Sequence, residues 1–156
     1  EALRMLRSFG HFGDEHFSLG MNAKMSEVHA AMGMAVLPHV PVIIAERRKL
    51  SAAYDERLIG IVSRPSAGPD VGYNFAYYPI VLRDGAQRES ALAALAAHGI
   101  MARRYFFPSL NTLTYVDAVA MPISEDHAAR TLCLPLYVGL TEQDVDRIAS
   151  IVVSVN

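Results

Sequence analysis

Between residues 26 and 58 the apolar positions recur at helical spacing, whereas the stretch before them shows no period. Glu1-Ala2-Leu3-Arg4-Met5-Leu6-Arg7 reads as the tail of a helix. Residues 8–25 read as an irregular loop punctuated by Gly10, Gly13 and Gly20, with His11, Asp14 and His16 adding polarity. Ser26 is a fitting N-cap for a helix running to about Leu37, where Pro38 is expected to end it. Val28, Met32 and Val36 fall on one stripe of that helix, and Ala30, Ala31, Gly33 and Ala35 are small enough for another backbone to come close. Tight packing of this helix against something is therefore expected. Pro41 fits the first turn of a second helix, because its missing N–H costs little there. Ile43, Leu50, Tyr54 and Leu58 share a face of this helix, Arg47, Arg48 and Lys49 begin its wet side, and Gly60 stands in the stop position.

The second half alternates shorter elements. Residues 63–72 are loop-like. Phe75 to Leu82 is rich in strand formers, and Pro79 within it calls for an edge position or a bulge. Arg88 to Ala97 predicts a short helix closed by Gly99, followed by a strand candidate from Ile100 to Phe107. Pro108 to Pro122 reads as loop, and Ser124 is expected to cap a short helix through Leu132. Leu134-Pro135-Leu136 is extended. Thr141-Glu142-Gln143-Asp144 forms a capping box ahead of a last helix whose apolar face is Val145, Ile148, Ala149 and Val152. Strand, helix and strand in that order predict an α/β (α+β) layer.

Composition narrows the function classes. With 19% charged residues and 52% hydrophobic ones, the chain has material for a core and too little charge for disorder. A formal net charge of -2 without a basic face argues against a nucleic-acid partner. Pro, Gly or charge interrupts the apolar runs before the roughly 18–20 residues a membrane span needs, so no membrane partner is expected. A single cysteine, Cys133, fits a reducing, cytoplasmic setting and reads as a small buried hydrophobe. Apart from His11 and His16 in a loop, no His sits with another His, Cys or carboxylate at reliable metal spacing, and no phosphate-loop or dinucleotide fingerprint is present. The abrupt opening at Glu1 reads as a fragment or a processed chain.

Two stretches rise above this background. Gly20-Met21-Asn22-Ala23-Lys24-Met25-Ser26 is a glycine-bearing loop entering a helix N-terminus, where backbone N–H groups and the helix dipole favour an anion. Asn22 and Lys24 are added donors; the competing reading is an ordinary capped helix. Ala102-Arg103-Arg104-Tyr105-Phe106-Phe107-Pro108 carries two adjacent arginines that a strand points to opposite faces, one into a cleft and one to solvent. Composition alone favours the plainer reading, a strand end with a solvated arginine and core aromatics.

These stretches resemble, in order, the DegT/DnrJ/EryC1/StrS family of pyridoxal-phosphate-dependent sugar aminotransferases. The similarity runs through Gly20-x-Asn22-x-Lys24-Met25-Ser26-Glu27, Ala30-Ala31-x-Gly33, Arg47-Arg48 and Tyr54. It continues through Arg103 to Pro108, Leu134-Pro135-Leu136 and Gly139-Leu140-Thr141-Glu142. The resemblance implies the small C-terminal domain of an aspartate-aminotransferase-like (fold-type-I) enzyme over residues 41–156. Residues 1–40 would be an interface loop and helix continuing from a larger domain. It implies pyridoxal phosphate as cofactor of the complete enzyme, a nucleotide-sugar substrate, an amino-acid donor and a homodimer. Asn22 would reach the cofactor phosphate of the neighbouring subunit, and Lys24, Arg103, Arg104 and Tyr105 would lie on the substrate side. The family's second loop donor is usually Arg, and Lys24 keeps the charge without the bidentate fork. The family's Schiff-base lysine has no counterpart here: Lys24 and Lys49 are the only lysines, and neither sits in that context. The expectation is a chain that completes an active site without containing one. A free-standing dimerisation module derived from such an enzyme is the alternative.

Overall fold

The computed structural model describes residues 1–12, 14–68, 70–105 and 107–155. Gly13 and Phe106, named above, and Pro69 in the loop over residues 63–72 lie outside the described residues. The chain divides into two compact units, Glu1–Pro41 and Val42–Asn156.

In the first unit, α1 (Ala2–Leu6) is followed by a small antiparallel hairpin of β1 (His11–Phe12) and β2 (Glu15–His16). The sequence reading gave only loop here, because two-residue strands leave no period to detect. Pairing sets His11 opposite His16, with ring centroids 5.3 Å apart. Gly10 has φ +75° and Gly20 lies against the backbone of Leu6, Phe9 and Gly10, where a Cβ would come within 2.2 Å of the Gly10 nitrogen. Both positions therefore need glycine. Ser26 caps α2 (Glu27–Val36) as expected, its hydroxyl accepting from the His29 N–H.

Pro38 does not end the helix. A 3-10 turn over Leu37–His39 takes Pro38 in its first turn, where no intrahelical N–H is required, and leads directly into α3 (Val40–Leu58). The helical run Glu27–Leu58 is continuous and includes an 18-residue window of mean hydropathy 1.7. By length and composition it is apolar enough to cross a membrane, which corrects the reading that Pro, Gly or charge interrupts the apolar runs short of a membrane span. The tight packing expected of α2 is not found within this chain. None of its residues is buried, and Val28 and Met34 are 72% and 76% exposed.

The second unit has a core. α3 contributes Leu50, Ala53, Tyr54 and Leu58. β3 (Tyr78–Val81) pairs antiparallel with β4 (Thr131–Leu134), Pro79 facing Cys133 and Ile80 facing Leu132. Cys133 exchanges both backbone hydrogen bonds with Arg103 on its other side, so the Pro79–Cys133 pair is a non-hydrogen-bonded one. Val81, two residues on from Pro79, likewise exchanges its bonds with Ser63, away from β4. The missing N–H of Pro79 therefore faces the sheet edge, as its place in the sequence required.

Three boundaries differ from the sequence reading. α4 (Gly85–Ala97) starts earlier than Arg88, because Asp84 caps it by accepting from the Gln87 N–H. α5 (Pro122–Arg130) starts at Pro122, and Thr131 to Leu134 forms β4 rather than a helix end. The segment from Ile100 onward contributes a single bridge, Arg103 to Cys133, rather than a full strand. The capping box holds: Thr141 and Asp144 satisfy each other's backbone N–H groups at the start of α6 (Glu142–Ser154). Val145, Ile148, Ala149 and Val152 are all buried. Gly60 and Gly99 sit past the ends of α3 and α4 with φ +73° and +72°.

Candidate functional site

The loop from Gly20 to Ser26 is stapled to the end of α1 by its backbone. The Met21 N–H donates to the Leu6 carbonyl, the Ala23 N–H to the Arg7 carbonyl, and the Phe9 N–H to the Met21 carbonyl. Asn22 forms a bridge with Ser8, and its side chain is exposed. Lys24 stands 5.5 Å from the centroid of the Phe9 ring, a cation–π distance that holds its ammonium over the aromatic face. Loop and helix start thus bring Asn22 and Lys24 together on one short, well-tied segment.

In the second unit, Arg103 and Arg104 do point to opposite sides. Arg103 lines a depression of about 290 Å³ with Tyr77, Cys133 and Tyr137. The Tyr77 and Tyr105 hydroxyls lie 2.6 Å apart, their rings 4.6 Å apart, and the Arg103 guanidinium is 6.0 Å from the Tyr105 ring. The hydrogen bond with Tyr77 pushes the Tyr105 phenol above its usual range. Arg104 turns away. Its guanidinium packs 3.6 Å from the Phe107 ring and reaches Glu89 at 3.3 Å. Glu89 also pairs with Arg88 at 3.0 Å, and Arg88, only 5% exposed, donates from Nε to the Ala129 carbonyl. The sequence reading missed Tyr77, Arg88 and Glu89. Apart from the adjacent Arg88–Glu89 pair, nothing local marks them, since Tyr105, Arg104 and the Ala129 carbonyl lie about 15 to 40 residues away in the chain.

A Schiff base needs a neutral amine. Lys49 pairs with Glu142 at 2.8 Å, and that hydrogen bond and charge hold its ammonium above the ordinary lysine range. Lys24 lies over the Phe9 ring in the loop before α2. Cys133 is buried, and burial raises its thiol above the ordinary range. Among the described residues no cluster of three metal-ligating side chains occurs.

Residues 1–153 match the DegT/DnrJ/EryC1/StrS aminotransferase family as a whole. The chain belongs to this family. A dTDP-4-amino-4,6-dideoxy-D-glucose transaminase of Escherichia coli is 30% identical over 142 residues, covering 85% of this chain and 38% of that protein. DesI, solved in the presence of its TDP-sugar product, is 30% identical with a TM-score of 0.82, covering 97% of this chain and 41% of that one. DesV of S. venezuelae shares the fold with a TM-score of 0.88 at 24% identity, over 97% of this chain and 42% of that one. The chain thus spans about two-fifths of the length of these family members. The mixed helix-and-sheet architecture of the second unit is that of the family.

Proposed function

We propose that this chain is the C-terminal part of a pyridoxal-phosphate-dependent nucleotide-sugar aminotransferase, one that amines a keto-deoxysugar nucleotide in the cytoplasm. Membership of the family along residues 1–153, in a chain that spans about two-fifths of its relatives' length, is the observation that carries this reading. Pyridoxal phosphate, when bound to the complete enzyme, supplies the electron sink for amino-group transfer. What this chain brings is binding and orientation. Asn22 offers a side-chain amide to the cofactor phosphate of a neighbouring subunit, beside the dipole of α2. Lys24, Arg103 and Tyr105 face the anionic, ring-bearing substrate. Arg104, already paired with Glu89, serves the substrate by fixing the segment that presents Arg103 and Tyr105.

Sodium borohydride reduction of the purified chain with pyridoxal phosphate, followed by mass spectrometry, is expected to give no stoichiometric pyridoxyl adduct. An adduct on Lys24 or Lys49 would overturn the reading.

The bare face of α2 supports a homodimer. Apolar side chains such as Val28, Met32 and Val36 are exposed, and Ala30, Ala31 and Gly33 allow close backbone approach. The small-residue pattern favours a protein partner over a lipid one for this helix. Light scattering is expected to give a dimer or larger species; a monomer at high concentration would count against it.

A further inference from the structure

The first unit holds a cavity of about 220 Å³ whose lining includes Arg4, Arg7, Lys24, His11 and Ser8. Glu1 is the only carboxylate among the described residues that line it. Among the described residues Arg4, Arg7 and Lys24 make no ion pair. In the second unit Arg57, Arg64, Arg83, Arg88, Arg104 and Arg130 each have a carboxylate, while Arg47, Arg48, Arg103 and Arg147 make no ion pair among the described residues but do not gather around one depression. Three cations around one depression against one anion leave a net positive site, and a concave site of one sign concentrates oppositely charged ligands. The backbone segments that carry Arg7 and Lys24 are tied together. The Ala23 N–H bond to the Arg7 carbonyl ties the Lys24 loop to the end of α1, and Phe9 holds the Lys24 ammonium. Preorganised cations of this kind bind anions with less ordering cost.

We propose that Arg4, Arg7 and Lys24 form a phosphate-class anion pocket, with a diphosphate as its best-matched ligand. The volume lies below the roughly 300–1,000 Å³ of pockets that enclose a whole drug-sized ligand, so it suits a charged group rather than an entire nucleotide sugar. A diphosphate carries enough charge to engage all three cations, and the arginines offer it paired N–H donors. The proposal deepens the substrate-side assignment of Lys24 and rests on it for biological meaning. The charge arrangement, however, stands without it, and so does the test.

Calorimetric titration of the chain with inorganic pyrophosphate at low salt is expected to show saturable binding that weakens as salt is added. Arg4→Gln and Arg7→Gln should each weaken it about tenfold, as the loss of one charge-assisted contact predicts, and the double variant should abolish it. Arg83→Gln, a charge-matched change outside the cavity, should leave it intact, and circular dichroism confirms that each variant folds. Parallel titrations with pyridoxal phosphate and with thymidine diphosphate identify the source of the phosphate by which binds tighter. Absence of pyrophosphate binding, or equal binding by the double variant, overturns the pocket. Failure here leaves the borohydride result untouched, so the two readings fall separately.

Discussion

Replacing Tyr54 with alanine is expected to cost the second unit about 3–5 kcal/mol, the range for deleting a large buried aromatic. Tyr54 is fully buried on α3, and its ring lies 4.5 Å from that of Tyr78, itself fully buried on β3. Its hydroxyl donates to the Pro135 carbonyl at 3.0 Å, joining α3 to the chain that leaves β4. Burial pushes its phenol far above the usual tyrosine range, so the group stays a neutral donor throughout ordinary pH. Tyr78 is held from its other side, with its hydroxyl on Asp55 and the Arg64 guanidinium 3.9 Å from its ring. A cavity at Tyr54 therefore opens under a neighbour that cannot easily move to fill it. Tyr54→Phe keeps the ring and should cost about 1–3 kcal/mol, because it leaves the Pro135 carbonyl without its donor. Urea unfolding of the three proteins gives both numbers. A Tyr54→Ala cost below about 1.5 kcal/mol would mean that the core at this point repacks freely.

How far the sequence disclosed this unit follows from the reach of each signal. Thr141 with Asp144 and the four apolar positions of α6 lie within one helix, and the structure keeps them all. Tyr54 was assigned to the inner face of α3 by the same spacing. Leu132-Cys133-Leu134 was another matter. A three-residue apolar run has no period of its own, and only pairing with β3, some fifty residues earlier, makes it a strand. Pro79 was legible as an edge residue because its missing N–H is a local fact with one structural solution. Pro38 misled because its two solutions, a break and a first-turn position, look alike in sequence.

The candidate site divides the same way. Alternation alone separated Arg103 from Arg104, and the structure sends them to opposite sides. Which of them is already neutralised depended on Glu89, on a helix that the sequence offers no reason to bring near. Arg4 and Arg7 were read only as part of a helix tail. Their convergence with Lys24 is set by the docking of the Gly20 loop, which requires the close backbone approach that Gly20 permits.

In a full-length member of the family carrying this loop, Asn22→Ala is expected to raise the dissociation constant for pyridoxal phosphate about tenfold to a hundredfold. A side-chain amide adds one charge-assisted hydrogen bond to a phosphate, worth about 1.5–3 kcal/mol, and roughly 1.4 kcal/mol is a factor of ten. The loop itself should survive the change. Its attachments to α1 and to residues 8–10 are made by backbone atoms of Met21, Ala23 and Phe9, and Asn22 is exposed with no core to collapse. Stability without cofactor should therefore move by less than about 1 kcal/mol. The competing account makes Asn22 a turn residue whose side chain supports the bend between Gly20 and Ser26. It predicts the reverse, a lower melting temperature for the apo form with cofactor affinity unchanged. Titrating pyridoxal phosphate into both proteins alongside apo melting curves separates the two accounts, because backbone staples and side-chain donors are lost independently. An unchanged affinity would remove Asn22 from the phosphate site and leave the loop a purely structural connection into α2.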